Sequence, residues 1–235
     1  MKTEGRNAVL ELLKTDKTIE KILLEKGGQG SLGKIFAEAR KKNLRVQFVD
    51  RAVLDKESET KRHQGAIAFT TDYEYADLYD LFGKEESLIV LCDGIEDVHN
   101  LGSILRVAEC AGADGVVIPK AKGASVTEAV VRISAGAAEH IPVAKVPSIN
   151  YAIDELKKQG YWVYALEAGG ESIYREKLTG KVALVVGGED SGVKRLTREK
   201  CDKILSIPLF GKVNSLNASV ALGIAVYEVV RARLS

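Results

Sequence analysis

The chain has 235 residues, 46% apolar and 29% charged, with a formal net charge of +1, which suits one large globular domain or a medium domain joined to a small one. The near-neutral balance excludes a polycation that coats nucleic acid by bulk attraction, so any nucleic-acid partner must be held by local patches. No apolar run reaches the length of a membrane span and the start, Met1-Lys2-Thr3-Glu4-Gly5-Arg6, has no signal-peptide apolar core, so the sequence predicts a cytoplasmic protein without a membrane partner.

In chain order, the apolar spacing predicts a helix over 6–14, a strand over 19–24, a helix over 32–42 carried by Leu32, Ile35, Phe36 and Ala39, a strand over 46–49, a helix over 51–57 and a strand over 66–69. This small αβαβαβ unit, 1–72, holds 15 Lys+Arg against 11 Asp+Glu. Two of its loops, Lys26-Gly27-Gly28-Gln29-Gly30-Ser31 and Lys61-Arg62-His63-Gln64-Gly65, join glycine with amides and positive charge, a combination that lets backbone N–H groups and cations approach phosphates. His63 reads as a turn or surface residue, because no second His or Cys stands at metal-ligand spacing. No metal is expected. Residues 73–86, acidic and carrying Tyr73, Tyr75, Tyr79 and Phe82, read as a connecting helix that ends at Gly83.

Beyond it the strands are richer in Val, Ile and Leu: 88–91, 115–118, 141–146, 162–166, 182–186 and 204–207, most of them separated by helical segments. Such runs predict an α/β domain over 87–235 with a parallel sheet covered on both faces, whose ligands bind at the C-terminal strand ends. Cys92, Cys110 and Cys201 are widely spaced, with Cys92 and Cys110 among apolar neighbours, and read as buried free thiols of a reducing compartment.

Three polar constellations fall at those strand ends. The first runs from Asp93 through Asp97-Val98-His99-Asn100-Leu101-Gly102-Ser103-Ile104-Leu105-Arg106, where Asn100 or His99 would cap a helix. The second is Gly187-Gly188-Glu189-Asp190-Ser191-Gly192, whose glycine spacing fits neither a dinucleotide fingerprint nor a P-loop; it suggests close approach of a flat ligand to backbone. The third is Ile207-Pro208 followed by Ser215-Leu216-Asn217-Ala218-Ser219, where a mostly apolar helix is expected to begin at about Ser215 with polar groups around its free N–H groups.

Taken together, and in this order, the three resemble the motifs of the SpoU/TrmH (SPOUT) family of RNA ribose 2′-O-methyltransferases over about 150 residues, and 1–72 resembles the small ribosomal-protein-like substrate-binding domain that precedes the catalytic domain in many members. The resemblance is closest to the bacterial subgroup that methylates a guanosine ribose in the peptidyl-transferase loop of 23S rRNA. One position departs: the family's Asp-Pro-His-Asn is Asp97-Val98-His99-Asn100 here, which removes a fixed φ from the loop.

The resemblance implies a deep trefoil knot in the C-terminal domain, a homodimer, and S-adenosylmethionine as methyl donor, held by Gly187, Gly188, Ile207, Leu216 and Asn217. It implies catalytic roles for Arg106, Asn100, Glu189, Ser215 and Asn217. Arg106, supplied by the partner subunit, would act at the ribose 2′-OH; a guanidinium is hard to deprotonate, which favours phosphate holding and oxyanion stabilisation and leaves the base open, with Glu189 a candidate for proton removal or for holding a base edge. A tRNA 2′-O-methyltransferase or an antibiotic-resistance rRNA methyltransferase of the same family is the near alternative. A non-catalytic RNA-binding protein would not need three strand-end motifs, and a dinucleotide oxidoreductase would need the missing glycine fingerprint.

Overall fold

The computed structural model describes residues 2–15, 17–70, 73–83, 85–189 and 192–234, so Asp190 and Ser191 of the glycine loop lie outside the described residues. The chain divides into two compact units, Met1–Glu74 and Tyr75–Ser235.

In the first unit β1 (Lys2–Glu4), α1 (Arg6–Leu12), β2 (Ile19–Glu25), α2 (Ser31–Lys41), β3 (Val46–Val49), α3 (Arg51–Glu57) and β4 (Ala66–Thr70) follow one another, and the sheet order is β1-β4-β2-β3. β1 was not expected from the sequence. Lys2-Thr3-Glu4 carries no apolar pattern, and its strand exists by antiparallel pairing with β4. The core lies between the sheet and α1 and α2, with Val9, Leu12, Ile22, Leu24, Leu32, Ile35 and Ala39 buried together; a smaller cluster of Leu23, Leu54 and Ile67 forms with α3.

His63 is buried, at 1% exposure, and is therefore a structural residue rather than a surface one. Its Nδ1 accepts the Gly65 N–H at 3.0 Å, which leaves Nε2–H to donate to Asp55 Oδ1 at 2.9 Å. That hydrogen bond lowers the Asp55 carboxyl below its usual range. Glu4 closes the other side of the same loop, accepting from Ser58 Oγ, the amides of Glu59 and Thr60, and Thr60 Oγ1. Partial burial raises its pKa, but the hydroxyl and amide donors outweigh this and hold the carboxyl at about 2.

In the second unit β5 (Ser87–Asp93), α4 (Val98–Cys110), β6 (Gly115–Pro119), α5 (Glu128–Ile133), β7 (Val143–Val146), α6 (Ile149–Lys158), β8 (Trp162–Ser172), β9 (Lys181–Gly187), α7 (Arg195–Lys200), β10 (Lys203–Ser206) and α8 (Ala218–Leu234) form a six-stranded sheet in the order β10-β8-β9-β5-β6-β7. Every neighbouring pair is parallel. All seven residues of β5 are buried, as a central strand covered on both faces requires. The chain leaves β5 toward β6 and β7 on one side and fills β9, β8 and β10 on the other. The boundary between β5 and β9 is thus where the winding direction reverses, and ligands of open parallel sheets bind at the carboxyl ends there.

Three expectations change. The connecting helix over 73–83 is instead an extended piece, in which Ala76 N–H bonds to the Val143 carbonyl at 3.0 Å, followed by a 3-10 turn at Leu78–Leu81 capped by Asp77. Leu78 and Leu81 enter the core of the second unit. β8 runs six residues beyond the predicted strand, because β10 follows it past an irregularity between Ile204 and Leu205. Gly169, with φ +82°, and Gly170, where a Cβ would lie 2.4 Å from the Ile204 carbonyl, make that irregularity possible. Finally, Cys92 is buried, which pushes its thiol up to about 12, whereas Cys110 is exposed at the end of α4.

Candidate active site

The first constellation begins where β5 ends. Asp93, buried, binds Lys194 twice: Oδ1 receives Nζ at 2.7 Å and Oδ2 receives the backbone N–H at 3.0 Å. Gly94 then turns with φ +80°. Asp97, not Asn100 or His99, caps α4 through the His99 N–H at 2.8 Å. Val98 therefore sits at the first helical position, where proline would have no N–H to lose, so the departure from the family motif leaves the cap intact. Asn100 falls in the first turn, only 6% exposed. Gly102 on the same helix admits α5, since a Cβ there would lie 2.6 Å from the Ile133 side chain.

The second constellation follows β9. Gly188 N–H bonds to the Asp93 carbonyl and Gly188 O accepts from Gly192 N–H. A Cβ at Gly187 would lie 2.0 Å from Gly192 backbone and one at Gly188 would lie 2.6 Å from the Gly94 carbonyl. These glycines were expected to admit a ligand; they first of all let two loops of the chain close on each other. Glu167 completes the fastening by accepting from Val193 N–H at 2.9 Å.

In the third constellation α8 starts at Ala218, three residues later than expected. Asn217 is its cap: Oδ1 accepts from Ser219 N–H at 3.0 Å, Ser219 Oγ at 2.6 Å and Val220 N–H at 3.4 Å. Because the oxygen faces the helix, the amide nitrogen must face outward. There it donates to Asn100 Oδ1 at 2.9 Å and to Glu189 Oε1 at 2.7 Å, and Asn100 Nδ2 donates to the same Glu189 oxygen at 2.9 Å.

One side chain from each constellation thus meets in a single hydrogen-bonded cluster. Glu189 Oε1 is held by two amides, while Oε2 has no partner among the described residues. A carboxylate fixed by one oxygen and open at the other can accept a hydrogen bond or a proton from a polar ligand.

The structure does not bring Arg106 to this cluster. It lies six residues after Asn100 on α4, about 9 Å along the axis and roughly 240° around it, exposed and without a hydrogen bond or ion pair among the described residues. Ser215 and Leu216 stand in an exposed extended loop. Ile207 is half-buried at its start. From Pro208 to Leu216 no described residue is hydrogen-bonded to the rest of the chain, and Leu209, Phe210, Val213 and Leu216 present apolar side chains to solvent. An exposed loop with apolar side chains, ending beside a carboxylate that has one open oxygen, offers a ligand apolar surface, backbone donors and acceptors, and one fixed acceptor. Sequence reasoning started the first constellation at Asp93 without giving it a role and missed Glu167 and Lys194; for the two acids the signal was a carboxylate at or just beyond the end of a strand, and Lys194 gave none. Among the described residues no three His, Cys, Asp or Glu side chains gather as a metal site, and no helix is long and apolar enough to cross a membrane.

Comparison with known proteins gives two family-model matches: the SpoU rRNA Methylase family over residues 87–227 and the RNA 2′-O ribose methyltransferase substrate-binding family over residues 3–76. A protein of Bacillus subtilis named as a TrmH family tRNA/rRNA methyltransferase, YacO, is 41% identical over 97% of this chain and 94% of its own. Among solved structures, the SpoU methyltransferase AviRb from Streptomyces viridochromogenes, in complex with AdoMet, superposes with a TM-score of 0.66 at 23% identity, covering 100% of this chain and 90% of that one. The TrmH/SpoU tRNA modifying enzyme of A. aeolicus gives 0.58 at 28% identity, covering 67% and 80%.

Proposed function

Since the chain belongs to the SpoU rRNA methylase family, we propose that it transfers a methyl group from S-adenosylmethionine to a ribose 2′-OH of RNA, with a guanosine in the peptidyl-transferase loop of 23S rRNA as the first candidate target. The observation that carries this reading is the cluster of Asn100, Glu189 and Asn217, drawn from three separate strand ends to one point.

When bound, S-adenosylmethionine supplies a methyl carbon activated by the sulfonium. Ile207, Leu216 and the unpaired backbone around them would hold it, with Gly187 at the strand end. Gly188 has both backbone groups engaged within the chain, so it would contribute surface rather than hydrogen bonds. Asn217 fixes the start of α8 and, with Asn100, holds Glu189. The open oxygen of Glu189 accepts from the substrate, either the 2′-OH or a base edge. The free hydroxyl of Ser215 adds a further polar contact to the nucleotide. Much of the rate comes from such positioning.

Arg106 is exposed and lies roughly 240° around α4 from Asn100, which leaves it available to a neighbouring site; in a homodimer that exchanges this residue, a second copy of the chain supplies Arg106 to hold the adjacent phosphate and stabilise the developing alkoxide. The C-terminal passage from β9 through β10 to α8 is read as the family's trefoil knot, and residues 1–72 as the part that selects the RNA. A tRNA ribose is the second candidate target, favoured by the likeness to the A. aeolicus enzyme. Mapping 2′-O-methyl groups in rRNA and tRNA from cells with and without the gene tests the target. Loss of one guanosine methyl in the peptidyl-transferase loop is expected; loss confined to tRNA selects the alternative.

A further inference from the structure

Resting on the RNA-substrate reading above, we infer that the first unit takes its RNA on the face formed by the C-terminal half of α2 and the edge strand β3, and not on the two glycine-amide loops expected from the sequence.

Most of the cations on or beside the loops are already engaged, two by carboxylates and two held in place by backbone carbonyls. Lys26 lies 3.2 Å from Asp50, Arg51 lies 3.6 Å from Glu25, Lys61 Nζ donates to the Asp55 carbonyl and Arg6 Nε to the Gln64 carbonyl, both at 2.7 Å. Of the cationic side chains in these loops only that of Arg62 stands without a partner among the described residues. Residues 34–48 are different. They contain Lys34, Arg40, Lys41, Lys42 and Arg45 against the single acid Glu38, so their excess of four equals the excess of the whole of 1–72. Lys41 pairs with Glu38 at 2.7 Å; the side chains of Lys34, Lys42 and Arg45 have no hydrogen bond or ion pair among the described residues.

Aromatic surface accompanies this charge. The rings of Phe36 and Phe48 lie 5.2 Å apart at 60°, the Arg40 guanidinium sits 5.8 Å from the Phe36 ring centroid, and Phe48 is 49% exposed at the edge of the sheet. Arg40 beside the ring pair, with the unpaired cations of the same helix and of the turn that follows it, matches a single-stranded or looped RNA, whose phosphates meet the cations while an unstacked base covers the exposed Phe48 ring. A paired stem offers phosphates but no free base face, so it would use the cations alone.

The test uses the full chain and two fluorescein-labelled probes, an RNA hairpin of about 20 nucleotides with an unpaired loop and the corresponding fully paired duplex, long enough to contact a single module. Lys42→Ala combined with Arg45→Ala should weaken hairpin binding about 10-fold near 0.1 M salt and lower the slope of log affinity against log salt by about 1.5. Phe48→Leu should weaken hairpin binding about 5-fold while duplex binding stays unchanged, and Phe48→Trp should restore it. Lys26→Ala combined with Arg62→Ala should stay within about two-fold of wild type. If the loop pair carries the loss and the α2–β3 variants bind normally, the inference is wrong. It is equally wrong if Lys42→Ala/Arg45→Ala changes only sedimentation, which would make this face a protein contact. Methyl transfer by the wild type separates the two levels: an RNA-binding chain that transfers nothing overturns the methyltransferase proposal, whereas normal transfer with full affinity in the α2–β3 variants overturns this surface alone.

Discussion

Two loops of this protein contrast in what they do with their polar groups. Residues 58–65 in the first unit are closed from within, by Glu4 on one side and His63 on the other. Residues 208–216 in the second unit hydrogen-bond to no described residue, and end at a cap that faces a carboxylate with one open oxygen. A loop that satisfies itself is scaffold, and an exposed loop that ends beside fixed polar side chains keeps its backbone groups available to a ligand. The glycine-rich sequence of the first loop region suggested a ligand; its pairing argues for a support.

The comparison is broken most severely at the cap. Asn217→Ser keeps an N-cap oxygen but removes the amide that holds Glu189, so methyl transfer should fall by about 100-fold or more while the melting temperature changes little. Asn217→Ala should lose the same activity and in addition about 1 kcal/mol of stability. If Asn217→Ser transferred at the wild-type rate, Asn217 would be a cap and nothing more. Arg106→Ala should likewise abolish transfer with fold and cofactor binding intact, since the exposed side chain makes no hydrogen bond or ion pair among the described residues. Mixing Arg106→Ala chains with Asn217→Ala chains should recover activity, because one site of each mixed dimer would be whole; no recovery would place Arg106 in its own chain's site.

A smaller effect concerns where the second unit begins. A chain starting at Tyr75 keeps Leu78 and Leu81 in their core, and should fold and bind S-adenosylmethionine while methylating RNA poorly. One starting at Ser87 loses both and should be less stable by about 3 kcal/mol or more, by analogy with large-to-small core changes. Denaturant titration of the two proteins decides it.

The support loop should respond to acid. The Glu4 pKa is lower in the folded protein, at about 2, than its ordinary value of 4.5, so its contribution is fully present above about pH 4.5 and is lost as the pH falls toward about 2. Glu4→Gln should therefore destabilise the protein at pH 7 and match wild type near pH 2, measured by melting. The smallest effect is expected at Val98→Pro, which restores a fixed φ at the first position of α4 and should add about 0.4–1 kcal/mol without touching activity.

The sheet of the second unit was legible because β5 and β9 are near-continuous apolar runs, and the three constellations were legible because polar residues gathered at their ends. What joins them was not. Asn100 and Glu189 are 89 residues apart, Asn100 and Asn217 are 117 apart, and the Asp93–Lys194 pair spans 101, so no local pattern could report those contacts. The start of α8 was placed early because Ser215 and Leu216 look helical; the side chain that ends the loop is Asn217. β1 and the far end of β8 escaped notice because one exists only by pairing and the other contains two glycines that read as a break.

The central claim is transfer to a ribose hydroxyl, and it is tested most directly with S-adenosylmethionine labelled in the methyl group and 23S rRNA fragments that carry, or lack, the 2′-OH at the mapped nucleotide. The account predicts that label enters the intact RNA and that the single 2′-deoxy substitution blocks it. Label that still enters the 2′-deoxy RNA, or that is recovered on a base, would contradict it.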